Sequence, residues 1–200
     1  MAGCKSGQQP ATVSARSPRI LRGSSGQYAI VYLGTEDLEW FYDGDAFMTP
    51  HPLGGNVEAG MYDMYGSLSM TTLTQPTRVP FSKFLATLDT SKPIMLTGHS
   101  LGGALTTYTA ADIALLPTPP AAANLQIYSI ASPRVGDQSF VNAFNAKVIN
   151  NFRIYNIRDY VPTLPPEDLG YVRVNTALPQ PELDSWQYPI YHGWDPVKAA

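Results

Sequence analysis

Residues 94–105 read Ile94-Met95-Leu96-Thr97-Gly98-His99-Ser100-Leu101-Gly102-Gly103-Ala104-Leu105, and the chain then runs apolar and Ala-rich from Thr106 to Leu116. Within them, Gly98 to Gly102 fits the pattern G-x-S-x-G. The apolar stretch 94–97 predicts a buried strand, and 106–116 a buried helix. A strand, a sharp turn and a helix in that order put the serine on a strained elbow with its hydroxyl exposed. The glycines let the chain turn tightly and bring the helix close to the strand. A serine hydroxyl is a weak nucleophile alone, so a base, an acid and an oxyanion site must come from elsewhere in the chain. The bland alternative is a Gly-rich turn whose serine caps the next helix. The agreement of other segments with a catalytic role outweighs it.

Elements on either side alternate. Tyr28 to Leu33 is β-branched and aromatic and predicts a strand. Val57 to Ser69 predicts a helix with Met61, Met64, Tyr65 and Leu68 on one face. A Pro-containing break at 75–80 precedes a short helix from Phe81 to Leu88, and Pro117, Pro119 and Pro120 end the long helix. Leu125 to Ile130 predicts a strand, and Asp137 to Val148 a helix capped by Asp137. Phe152 to Ile157 predicts a strand and Tyr171 to Val174 a short late one. Strands separated by helices imply an α/β fold with a mostly parallel sheet and helices on both faces.

A chain of 200 residues supports one domain with a sizeable core. Residues 1–27 read as a short polar leader, without the apolar core of a signal peptide, and 28–200 as a single catalytic domain. The compartment is left open. Charged residues make up 14% against 44% hydrophobic, which places the chain among globular proteins. A net charge of −3 gives no reason to expect a nucleic-acid partner. No apolar run approaches the roughly 18 residues of a transmembrane span. Cys4 is the only cysteine, and no histidines pair at ligand spacing, so neither a metal nor another cofactor is expected.

In chains built around such an elbow, the acid and then the histidine follow the nucleophile. His51 and His99 precede Ser100, and His99 is held in the turn, where packing is its expected role. His192 alone follows, which makes it the expected base. The carboxylates between them are Asp112, Asp137, Asp159, Glu167, Asp168, Glu182 and Asp184. Asp159 lies two residues beyond a strand, at the carboxyl end where open α/β sheets place functional groups. An ionised carboxylate there fixes the imidazole tautomer and stabilises the imidazolium. The oxyanion site needs backbone donors, one from Leu101 and one from the loop after an earlier strand, where Gly34-Thr35 follows 28–33.

Four segments together resemble the class 3 (fungal-type) lipases of the α/β-hydrolase superfamily. They are AIVYLGTEDLEW (29–40), NVEAGMYDMY (56–65), TGHSLGGALT (97–106), and 131–165 with its ASPRVGD, NIRDYVP and LPP. Leu33 stands where an arginine is common in the family, and Glu58 where a histidine is usual. The resemblance implies an α/β-hydrolase fold, with Ser100 as nucleophile, Asp159 as acid, His192 as base, and Thr35 and Leu101 at the oxyanion hole. The run before residue 28 is shorter than the family has, which leaves open whether one or two N-terminal edge strands are present. A lid is implied as well. Residues 38–48 fit one, offering Leu38, Trp40, Phe41, Phe47 and Met48 as lid or acyl-binding positions, although a fixed helix packed on the core fits equally. The implied activity is a triacylglycerol lipase acting on acyl esters, at a lipid–water interface. Phospholipase A1, monoacylglycerol lipase and feruloyl-type esterase are alternatives on the same site, and a non-catalytic binding protein is the more distant one.

Overall fold

The computed structural model describes residues 18–34, 47–71, 77–156 and 158–174. A five-stranded sheet forms the frame: β1 (Arg19–Arg22), β2 (Tyr28–Tyr32), β7 (Ile94–His99), β8 (Leu125–Ile130) and β9 (Asn151–Ile154), in that spatial order. β2, β7, β8 and β9 run parallel, and β1 is antiparallel at the edge. Between β2 and β7 lie two small antiparallel pairs, β3 (Met48–Pro50) with β4 (Asn56–Glu58) and β5 (Ser69–Met70) with β6 (Val79–Pro80). The helices are α1 (Ala59–Gly66), α2 (Phe81–Leu85), α3 (Leu101–Ala114) and α4 (Gln138–Lys147).

Every parallel connection steps across the sheet in the same direction. Right-handed crossovers therefore place all four described helices on one face. On that face Ile30, Leu96 and Ile127 are wholly buried beneath α3. Their neighbours on the opposite face, Ala29, Val31, Thr97 and Tyr128, are only half-buried, and Met95 and Gln126 are exposed. Of the helical cover expected on both faces, the described residues supply one side.

α3 is buried almost along its length, although it carries three threonines. Thr106, Thr107 and Thr109 turn their hydroxyls back onto the carbonyls of Gly102, Gly103 and Leu105, at 2.7, 3.2 and 2.8 Å. That satisfies polar groups which would otherwise be costly in a dry core. α4 begins as expected at Asp137, whose Oδ1 accepts the Phe140 N–H at 2.8 Å. Its Oδ2 accepts from the Asn56 N–H and side-chain amide, at 3.0 and 2.8 Å, so one carboxylate fixes both a helix start and β4. Burial pushes Asp137 upward, but these hydrogen bonds prevail and hold its carboxyl below the usual range.

Four expectations need revision. The helix expected over 57–69 is shorter, because Asn56–Glu58 pairs with Met48–Pro50 and Glu58 becomes the helix cap. Arg19–Arg22, within the stretch read as leader, is a strand, because β2 offers it a pairing edge. The last parallel strand starts at Asn151 and ends at Ile154, short of Ile157. The late strand at 171–174 reduces to a single bridge between Val172 and Gly136.

Candidate active site

β7 runs directly into α3 through Ser100, which adopts φ 56° and ψ −124°. That is a left-handed conformation, which an L-residue holds only when its surroundings impose it, at a cost of about 1–3 kcal/mol. The imposing contacts are on both sides. The Ser100 N–H is anchored to the Ile130 carbonyl at 2.9 Å, and the Ser100 carbonyl accepts from Gly103 at 2.8 Å. A methyl group at Gly98 would collide with the Gly102 carbonyl and sit 2.8 Å from Thr106 Oγ1. The approach of strand to helix therefore admits nothing larger than hydrogen.

Leu101 opens α3, so its N–H belongs to the first turn, where helical donors lack intrahelical partners. Gly34, at the end of the chain leaving β2, lies against the same elbow. A methyl there would come within 2.9 Å of the His99 carbonyl and 3.4 Å of Ser100 Cβ. The loop expected to supply the second oxyanion donor thus reaches the elbow one residue before Thr35. Ser100 itself is only 2% exposed, less open than expected, because Gly34 and the start of α3 close around it. Its Oγ makes no hydrogen bond among the described residues.

Asp159 follows β9 at the same carboxyl edge of the sheet, two strands from β7, or roughly 10 Å at ordinary strand spacing. Its Oδ1 accepts the Val161 N–H at 3.0 Å and its own N–H donates to Asn156 at 2.9 Å, so Asp159 sits on a tight turn. Thr35, Leu38, Trp40, Phe41 and His192 lie outside the described residues, as do 38–46 of the lid candidate. At the described end of that segment Phe47 is 68% exposed, whereas Met48 opens β3 and is half-buried.

A strap that the sequence reading did not single out holds the elbow and the Asp159 turn together. After β8 the chain passes through Ala131, at φ 50°, into a strap of residues 131–136. Ala131 N–H bonds the last carbonyl of β9 at 2.8 Å, and a methyl at Gly103 of the elbow helix would meet Ser132 Cβ at 2.6 Å. Arg134, only 5% exposed, clasps the segment that follows the Asp159 turn. Its Nη1 donates to the Thr163 and Pro165 carbonyls, the latter at 2.8 Å, and its Nη2 meets Glu167 Oε1 at 2.5 Å. The ASPRVGD stretch was the available signal, since a lone arginine among apolar residues needs buried acceptors.

His51, the alternative base, is buried elsewhere. It lies 5.0 Å from the Tyr62 ring, 5.1 Å from Phe140 and 6.4 Å from Tyr108, centroid to centroid. Tyr108 is two turns along α3 from Ser100, about 12 Å at 1.5 Å per residue. His51 Nδ1 accepts the Leu53 N–H at 3.0 Å, and burial lowers its pKa to about 4. The ring is therefore neutral when folded and protonates near 6.5 when unfolded. Stability from this residue is complete above pH 6.5 and is lost as pH falls towards 4. His51→Asn keeps an acceptor for Leu53. Urea melts between pH 7 and 4 should show a flatter stability profile in this variant than in the wild type. Glu58, in place of the family's usual histidine, is also buried and raised by burial, and it caps α1 by accepting from Gly60 and Met61 at 3.1 and 2.6 Å.

Comparison with known proteins agrees with this geometry. The family model for Lipase (class 3) matches residues 21–169. The lipase of Rhizomucor miehei is 32% identical over 161 residues, covering 76% of this chain and 42% of that protein. The secreted mono- and diacylglycerol lipase A of Penicillium cyclopium is 39% identical over 82 residues, covering 41% of this chain and 25% of that protein. A solved triacylglycerol lipase, described as having a serine protease triad for its catalytic centre, superposes with a TM-score of 0.63. It is 28% identical, with 76% of this chain and 57% of that one covered. The fold is accordingly that of the α/β-hydrolases. The chain spans less than half the length of the curated relatives described here.

Proposed function

The chain belongs to the class 3 lipase family, and from that premise we propose that it works as a serine carboxylester hydrolase on acylglycerols. The observation that carries the reading is the elbow. Ser100 is held at φ 56° at the start of α3, with Gly34 turned against it. An ordinary helix cap sits in the extended region and bonds its side chain to the first turn. Ser100 does neither.

In the proposed reaction Ser100 Oγ attacks the ester carbonyl while His192 takes its proton. Asp159 keeps the imidazole in the right tautomer and stabilises the cation that forms. The Leu101 and Thr35 N–H groups hold the oxyanion, each worth about 3 kcal/mol in the barrier. The imidazolium then protonates the departing alcohol. Water, deprotonated by the same ring, releases the fatty acid and restores the serine.

A fluorophosphonate probe should label the chain at Ser100, located by peptide mass spectrometry. Rates on p-nitrophenyl esters of rising chain length, and on emulsified tri-, di- and monoacylglycerols, then define the substrate. A rise in rate once substrate exceeds its solubility marks a lipase, and a preference for short soluble esters marks an esterase. Absence of both labelling and turnover would overturn the hydrolase reading in favour of a binding protein.

A further inference from the structure

β9, the strap and the last described segment come together, and each brings an arginine whose charge is felt by the group. Arg153 is on β9, whose Ile154 carbonyl accepts from Ala131 at 2.8 Å. Arg134 is in the strap, and Arg173 follows Val172, whose N–H donates to Gly136 of the strap at 2.8 Å. Each has a buried nitrogen without a hydrogen-bond partner among the described residues: Arg134 Nε, Arg153 Nη2 and Arg173 Nε. Burial, and then the positive charge of Arg173, bring the Arg153 guanidinium down to about 10; Tyr155 opposes this, and the charge of Arg134 adds the smallest part. The Tyr155 ring lies under Arg153 at 4.7 Å. Among the described residues, the carboxylate bound to this group is Glu167, through Arg134, and it is 67% exposed.

A buried cation without a counter-charge is expensive, and leaving its N–H groups unmade adds to that. Planar guanidinium forks match the oxygens of a carboxylate or phosphate far better than a single point charge. We propose that Arg134, Arg153 and Arg173 form a binding site for an oxyanion, carboxylate or phosphate, which takes up these inward N–H groups. Two sources have that chemistry. One is a free anion. The other is a carboxylate of the chain's own 175–200 segment, which contains Glu182, Asp184 and Asp195. Because Arg134 also clasps the segment that follows the Asp159 turn, occupancy would steady the acid of the proposed triad. That last link rests on the hydrolase reading, whereas the site itself does not.

The test is a series of thermal melts with inorganic phosphate at constant ionic strength, chloride making up the balance. They are run on the wild type and on Ser100→Ala, so that hydrolysis plays no part. With a free anion, Tm rises saturably, by about 5–10 °C at 100 times the half-saturating concentration. Arg153→Met and Arg173→Met lose most of that rise. With an internal carboxylate, the wild type ignores phosphate. One of Glu182→Gln, Asp184→Asn or Asp195→Asn then melts several degrees lower and gains a phosphate response, and its penalty disappears in an Arg153→Met background. If either arginine variant fails to fold, Arg173→Lys, which keeps charge but loses the fork, is read in the same way. Phosphate no better than chloride in the wild type and all three amide variants overturns the site. So does an unchanged response in the arginine variants.

Discussion

Replacing Ser100 with alanine is expected to lower ester hydrolysis by about four to six orders of magnitude while leaving the fold intact. The two halves of that expectation have separate physical grounds. The chemical half follows from losing the nucleophile, since binding and the oxyanion donors alone retain only a small residual rate. The structural half follows from the elbow. Ser100 Oγ makes no hydrogen bond among the described residues, and the residue is 2% exposed. Removing a buried, unbonded hydroxyl deletes a desolvation penalty and no contact of note. Alanine tolerates φ 56° about as poorly as serine does, so the backbone strain is unchanged. Ser100→Ala should therefore melt at or slightly above the wild-type temperature, read by circular dichroism beside the activity assay. His192→Ala should fall nearly as far in activity. A dead His51→Ala beside an active His192→Ala would move the base to the other ring.

Gly98→Ala is expected to have the largest effect on stability of any single methyl addition at the elbow. The added carbon would strike the Gly102 carbonyl, which is helix backbone and cannot swing aside. Strand β7 and helix α3 must then separate, and both are central: Leu96 and Ala104 are wholly buried. Overpacking of this kind costs about 3 kcal/mol, or roughly 10 °C in Tm for a chain of this size. Activity should fall with it, because the same movement relaxes Ser100. Gly66→Ala is the matched control. Nothing lies within 4 Å of a methyl there, and the residue is helical, so that variant should be neutral or gain up to about 1 kcal/mol. Equal losses in both would mean that crowding at the elbow is not the cause.

The elbow was legible because everything that defines it is local. An apolar run, paired glycines and an Ala-rich run sit next to one another in the chain, and their periods differ. Asp137 was legible as a cap for the same reason. What escaped depends on partners distant in sequence. β1 carries two arginines in four residues and is a strand only because Tyr28–Tyr32 offers an edge. Val57 fits a helical stripe as well as a strand, and its pairing with Thr49 decides between them. The strap has no periodicity to read. Its course comes from bridges of Gly136 to Val57 on one side and Val172 on the other. Of the candidate site, Ser100 and Leu101 join β7 to α3 and Asp159 follows β9 at the same edge of the sheet, while Thr35, His192 and most of the lid candidate lie outside the described residues.

That strap has an engineering consequence. Within six residues it leans on α3 at Ser132, on β4 at Gly136 and, through Arg134, on the segment that follows Asp159. Substitutions selected separately on α3 and on the turn at Asp159 would each shift their common support, so their effects should fail to sum when combined. Retuning the proposed acyl-ester activity is better done by varying both regions together in one library than by stacking winners from two.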